Sequence, residues 1–492
     1  MNIAMLLQMA SESCPDRKAI TYERKSYNYQ ELFNAAKTAA TKIQASSCTS
    51  VSVLDTNSPA IPIAIIGAAI AGVPYVPLNY RLTGTELDAL IERISPTFLV
   101  YGHQYKGAVR KETAMSSEQF LTESLTLKVP DQTWSEDPQK IAVQLFTSGT
   151  TGTPKAAILR HEHIISYILS SVEFLGANEN EATLMSVPPY HIAGIAAILS
   201  SIYACRRIVQ LPDFNPESWL NLCDQENVTN AFVVPTMLTR IVDLVESAHK
   251  PPPKALKALA YGGGKMPLKV IEKALTLLPE VNFTNAYGLT ETSSTVTLLG
   301  PEDHRKALNT TDPEAKKRLT SVGKPLPSIE LEIRNENNEI LKANQVGEIY
   351  IKGPQVSGEY QEKSLVNEQG WFPTKDSGYL DNEGYLYLSG RSDDIIVRGG
   401  ENISPGEIED VLLAHPKIID AAVVGIPSAE WGESVAAAVS STDKDLKEKE
   451  LQELVRRTLR SSRVPEKIIF EPELPYNETG KLLRRVVREL FH

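Results

Sequence analysis

At 492 residues the chain exceeds what one hydrophobic core organises, since domains usually run ~100 to 200 residues, so a large subdivided body with a smaller partner is expected. Hydrophobic residues make up 42%, charged residues 23% and aromatic residues 7%, globular proportions that exclude disordered, collagen-like and disulfide-scaffold classes. A net charge of −11 excludes indiscriminate binding to nucleic acid or anionic lipid, and four scattered cysteines without a C-x-x-C pair (Cys14, Cys48, Cys205, Cys223) suit a reducing compartment, read as the cytoplasm.

The opening segment MNIAMLLQMASESCPDRKAI lacks a basic n-region and reads as an amphipathic helix, not a signal peptide. Residues 60–78, AIPIAIIGAAIAGVPYVPL, approach the ~20 apolar residues that cross a bilayer, but prolines and glycines interrupt them. They read as a buried helix ending near Gly72 followed by a short strand, so no transmembrane segment is expected. Helical patterns then alternate with short β-branched runs: 31–45 with 50–55, 91–94 with 97–102, 218–226 with 230–235, and 275–279 with 281–288. This alternation implies an α/β class with βαβ units and parallel sheet.

Between these pairs lies QLFTSGTTGTPKAA, residues 144–157, an apolar strand running into a hydroxyl-rich loop. Gly149 and Gly152 allow close backbone approach, Thr147, Ser148, Thr150, Thr151 and Thr153 supply short donors, and Lys155 supplies charge, as phosphate binding requires. It is not a Walker A loop, because Gly149 and Gly152 stand too close and Ala156 follows Lys155. Composition alone favours a plain Ser/Thr-rich turn over a phosphate loop. His161 and His163 lack a third clustered ligand and read as a helix start.

After about residue 320 short strands punctuated by Gly and Asn (329–340, 347–353, 384–390) indicate a small β-rich unit. From Asp394 onward come the strands and helices of a compact α+β domain, including a charged helix over 444–462 and a strand at 467–472.

TSGTTGTPK resembles the phosphate loop of the adenylate-forming superfamily, which includes acyl-CoA synthetases, adenylation domains of peptide synthetases and luciferases. Six further motifs follow in family order: PPYHIAG (188–194), YGGGKM (261–266), NAYGLTET (285–292), TKDSGYLD (374–381), GRSDDIIVRGGENISPGEIE (390–409) and NETGKLLRR (477–485). The resemblance spans nearly the whole chain. It implies an N-terminal adenylation domain over 1–390, with its β-rich subdomain at about 320–390, and a mobile C-terminal lid over 391–492 turning at Asp393.

The chemistry implied is attack of a carboxylate on the α-phosphate of ATP, two anions whose repulsion positive charge and positioned donors must offset. By resemblance, Lys481 reaches the carboxylate and α-phosphate from the C-terminal domain. Glu291 is the magnesium-associated glutamate, with Thr290 beside it on phosphate. Asn285, Ala286, Tyr287 and Gly288 lie along the nucleotide, Tyr287 against adenine. Gly262, Gly263 and Gly264 let base and acyl group approach the backbone. Asp376 and Arg391 hold the ribose hydroxyls, for which a carboxylate accepting from a diol is suited. Gly399, Gly400 and Glu401 face a pantetheine tunnel after lid rotation, and His191 stands where acyl pocket and tunnel meet.

The chain departs from the family pattern at Lys375 and Ala156, where many relatives have glycine. Arg456, Arg460 and Arg463 read as a solvated helix face, with the 3′-phosphate of CoA as a second reading. The expected activity is ATP- and Mg²⁺-dependent acylation of coenzyme A through an acyl-adenylate. Loading of a carrier-protein phosphopantetheine, a luciferase-type oxygenase and a catalytically silent nucleotide-binding homologue are the alternatives. The acid is left open, and so is the oligomeric state, a homodimer included.

Overall fold

The computed structural model describes residues 1–108, 114–126, 132–147, 155–391, 394–399, 401–476 and 482–491. Two mixed sheets organise the N-terminal body. In the first, six parallel strands run in the order Asn282–Leu289, Ala258–Gly262, Asn230–Val233, Ala182–Met185, Arg207–Gln210 and Lys18–Tyr22. Antiparallel strands flank both sides, Ser294–Leu299 and then Lys324–Pro325 beyond Asn282–Leu289, and Lys25–Asn28 beside Lys18–Tyr22. The second sheet places Lys155–Arg160 antiparallel to Ile141–Thr147, followed by Tyr75–Pro77, Ser50–Leu54, Thr97–Tyr101 and Ala114–Ser116, all parallel. The alternating periodicities of the sequence thus become a βαβ body, as expected.

Helices between the sheets supply the shared core. Tyr29–Ala45 starts from a reciprocal cap in which Asn28 Oδ1 accepts from the Glu31 amide at 2.8 Å and the Glu31 carboxylate accepts from the Asn28 amide. Ala60–Ala71 is buried on every side but its last residue and ends at Gly72, and Tyr75–Pro77 follows as a buried strand. Its apolarity therefore serves packing. Among the described residues no helix is long and apolar enough to cross a membrane.

The β-rich texture after residue 320 becomes a four-stranded antiparallel sheet of Glu330–Arg334, Gly347–Lys352, Phe372–Leu380 and Leu386–Arg391. Residues beyond 394 enclose a core of their own, with Ile396, Ile403, Ile408, Leu412, Val423, Val435 and Leu451 at its centre. The hairpin Ile418–Ser428 with Gly432–Ser441 dominates that unit, and Lys467–Phe470 joins it in parallel. One expectation needs correction. The charged helix covers only Glu448–Thr458; Leu459 turns extended, and a separate 3₁₀ turn, Ser461–Arg463, follows. Arg463 leaves the helix face because its guanidinium is drawn to Glu401 and Glu407.

His161 opens the helix His161–Ser171, as expected, and is 2% exposed. Its Nδ1 accepts from the Ile3 amide at 3.3 Å, and burial, then the N-terminal ammonium, lowers its pKa from 6.5 to about 4. The folded chain thus refuses a proton that the unfolded chain accepts, so stability falls as pH drops from 6.5 toward 4, by on the order of 3 kcal/mol from this group. An NMR titration of the imidazole is expected to give a midpoint near 4; a midpoint at the ordinary value contradicts this.

Candidate active site

The strand ends Ala258–Gly262 and Asn282–Leu289 run in register, Tyr261 beside Asn285 and Gly262 beside Ala286. A Cβ on Gly262 would lie 2.2 Å from the Ala286 carbonyl oxygen, so only glycine permits this approach. Gly263 turns the chain at φ +81°, and it and Gly264 are exposed. Asn285 is buried and donates its side-chain amide to the Ser321 carbonyl at 3.0 Å, bracing the strand from behind.

Two residues on, the Tyr287 hydroxyl donates to Asp376 Oδ2 at 2.7 Å. Asp376 and Arg391 pair across neighbouring antiparallel strands, which brings Arg391 Nη1 to 3.8 Å from Asp376 Oδ1. Burial, reinforced by the Asp376 charge, pushes the Tyr287 phenol well above its ordinary range, so it stays a donor. Arg391 Nε is buried without a hydrogen-bond partner, an orphan donor beside a carboxylate. Lys375 adopts φ +61° and donates its amide to Glu348 Oε1 at 3.2 Å. A left-handed backbone suits glycine, and lysine bears it at a cost of ~1–2 kcal/mol.

Glu291 lies in the 3₁₀ turn Thr290–Thr292 and is 8% exposed, whereas Thr290 is half-buried. Its Oε1 accepts from the Tyr360 hydroxyl, and its carbonyl accepts from the amides of Ser357 at 2.9 Å and Gly358 at 3.1 Å. The short strand Glu359–Tyr360 pairs with Lys155–Arg160, so Glu291 is tied to the strand that follows the hydroxyl-rich loop. Sequence reasoning missed Tyr360; the segment SGEY carries no chemical pattern of its own. Burial, then Glu291, pushes its phenol far up.

Thr147 and Lys155 close the base of that loop as register partners, Thr147 Oγ1 donating to the Lys155 carbonyl at 3.4 Å. The Lys155 side chain is exposed. Ala156 is 2% exposed and sits opposite Phe146, a position its methyl fills without disturbing the ladder. Ser148, Gly149, Thr150, Thr151, Asp393, Gly400 and Lys481 lie outside the described residues.

His191 precedes the helix Ile192–Tyr203 and belongs to a separate aromatic group, its ring 4.4 Å from that of Tyr190, which meets Tyr80 edge-on at 5.1 Å. Burial, then Arg81, lowers its pKa to about 4, so the ring is neutral at pH 7, and Nε2 is buried without a partner. Gly288, one residue before the end of the strand Asn282–Leu289, pairs with Thr295. In the C-terminal unit, the Gly399 amide donates to the Trp431 carbonyl at 2.8 Å and the Glu401 carboxylate is paired with Arg463. Arg463 is therefore engaged with carboxylates, as Arg456 is with Glu453 at 2.8 Å. That unit touches the larger body where Lys265, just after the glycine turn, meets Asp410 at 2.6 Å.

The arrangement thus assembles Tyr287, Asp376 and Arg391 with Glu291 and Tyr360 nearby, and leaves His191 and Glu401 in other neighbourhoods. Among the described residues no three His, Cys, Asp or Glu side chains gather as a metal cage. A single buried carboxylate, Glu291, still fits a Mg²⁺ that keeps most of its waters. The orphan Arg391 Nε beside Asp376 fits a polar ligand carrying hydroxyls or anionic oxygen.

The model of the AMP-binding enzyme family matches residues 7–361, and that of the AMP-binding enzyme C-terminal domain matches residues 407–481. The 2-succinylbenzoate–CoA ligase of Bacillus licheniformis is 32% identical over 496 residues, covering 97% of this chain and 98% of its own. The solved o-succinylbenzoate CoA synthetase of Bacillus subtilis, in complex with its acyl-adenylate intermediate, is similar with a TM-score of 0.84 at 30% identity, over 98% of this chain and 97% of that one. The same Bacillus subtilis enzyme with ATP and magnesium ion gives 0.82 at 29%, over 98% of each chain.

Proposed function

The chain belongs to the AMP-binding enzyme family of adenylate-forming enzymes, and from that premise we propose that it is an acid–thiol ligase for an aromatic acid of the 2-succinylbenzoate type. It would join the acid to AMP with release of pyrophosphate, then pass the acyl group to the thiol of CoA. The observation that carries this is end-to-end similarity to 2-succinylbenzoate–CoA ligases, together with the Tyr287–Asp376–Arg391 cluster at the strand ends.

Each residue then has a task. Asp376 accepts the ribose hydroxyls, held in place by Tyr287, and Arg391 supplies a charged donor beside it. Thr147, Ser148, Gly149, Thr150, Thr151 and Lys155 cradle the phosphates, with Thr290 alongside. Glu291 would hold Mg²⁺, which when bound offsets triphosphate charge and favours pyrophosphate departure. Lys481 brings the attacking carboxylate to the α-phosphate. The lid, residues 391–492, then turns at Asp393 and presents Gly399, Gly400 and Glu401 to the pantetheine arm. His191 stays neutral and borders acid and thiol. Arg81 beside Tyr80 and Tyr190 suits an aromatic acid with a second carboxylate.

Acid-stimulated ATP–pyrophosphate exchange tests the reading across 2-succinylbenzoate, benzoate, short dicarboxylates and unbranched fatty acids. Greatest stimulation by 2-succinylbenzoate is expected. A fatty acid as the best substrate overturns the acid assignment, and exchange stimulated by none supports a silent homologue. With the best acid saturating, free CoA is expected to be acylated faster than a pantetheinylated carrier; the opposite order makes this a carrier-loading enzyme.

A further inference from the structure

We propose that Tyr360 is a positioning residue that orients the carboxylate of Glu291 for its cation, an inference resting on the reading of Glu291 as the magnesium-associated side chain. The phenol donates to Oε1 of Glu291 across 69 residues of sequence. The same short segment holds the Glu291 backbone, because the Ser357 and Gly358 amides both donate to its carbonyl. Side chain and main chain are thus gripped by one element.

That element is itself fastened. The Ser357 hydroxyl donates to the Ile158 carbonyl, and the Gln361 amide donates to the Ala156 carbonyl at 2.9 Å. Arg160 binds Glu359 through two hydrogen bonds of 2.7 and 2.9 Å. All three anchors lie on Lys155–Arg160, the strand leaving the hydroxyl-rich loop. The position of the carboxylate is therefore coupled to the strand that follows the hydroxyl-rich segment.

The physical consequence is pre-organisation. A glutamate that must be ordered by its ligand loses rotamer freedom on binding, a loss that a fixed carboxylate has already taken in folding. An ionised carboxylate offers about four lone-pair sites. The phenol takes one and leaves the others for a cation and its waters. A phenol donor brings no formal charge to compete with the cation.

The test uses Mn²⁺ as the probe, its binding to the full chain followed by electron paramagnetic resonance with a nucleotide whose α,β-bridge is methylene, and no acid present. Y360F, which keeps the ring, is expected to weaken Mn²⁺ binding about tenfold, the scale of one hydrogen bond to a charged group. E291Q should weaken it at least as much, and the double variant no further than E291Q alone. Metal-free nucleotide affinity, expected to be unchanged in Y360F, serves as the folding control. Unchanged Mn²⁺ affinity in Y360F beside a weakened E291Q overturns the role of Tyr360 alone. Unchanged affinity in E291Q overturns the reading of Glu291 and this inference with it. A full Y360F effect persisting in the E291Q background shows that the two act independently and also overturns it.

Discussion

Lys481→Ala is expected to lower acid-dependent ATP–pyrophosphate exchange by about a thousandfold, the upper range for removing one preorganised charge from a transition state. The reason is electrostatic. The attacking carboxylate and the α-phosphate repel each other, and nothing else in the NETGK segment can offset their charge as the carboxylate oxygen closes on the phosphorus. Transfer from preformed acyl-adenylate to CoA does not bring these anions together, so that half-reaction should stay within about threefold of the parent. Stopped-flow measurement of the two half-reactions separates them. Equal losses in both would remove Lys481 from the adenylation step.

The second large effect is expected at Asp376. Its carboxylate accepts from Tyr287 at 2.7 Å and faces Arg391, whose Nε already lacks a partner. Asp376→Ala would take the carboxylate acceptor from a buried phenol and leave a partly buried guanidinium uncompensated, each worth ~1–3 kcal/mol, besides losing the proposed ribose acceptor. The kcat/KM for ATP should fall about a hundredfold or more, while the KM for the acid changes little. Asp376→Asn, which keeps one acceptor for Tyr287, should lose less. Steady-state kinetics with each substrate varied in turn decides it; a defect confined to the acid would displace the cluster from the nucleotide side.

Much of the fold was legible because the elements are locally consistent. The alternation of amphipathic helices with β-branched runs gave two parallel-rich sheets, and the proline- and glycine-interrupted stretch at 60–78 became a buried helix and strand. The pairing of Asp376 with Arg391 was legible only through family resemblance; the structure supplies the physical reason, since they are register partners on adjacent strands. Other features depend on long-range contact, which no local pattern encodes. Tyr360 reaches Glu291 from a distant strand, and Arg463 abandons its helix for Glu401 and Glu407. Asn285 faces Ser321 and braces the strand that carries Tyr287, a task invisible in the string NAYGLTET. The strain at Lys375 is likewise conformational, and a lysine code letter does not announce a positive φ.

The most direct test of the central claim follows oxygen. With 2-succinylbenzoate carrying ¹⁸O in its carboxylates, ATP and CoA, the account predicts acyl-CoA and AMP bearing one ¹⁸O on its phosphate, with none in pyrophosphate. Unlabelled AMP, or label appearing in inorganic phosphate beside ADP, would contradict passage through an acyl-adenylate.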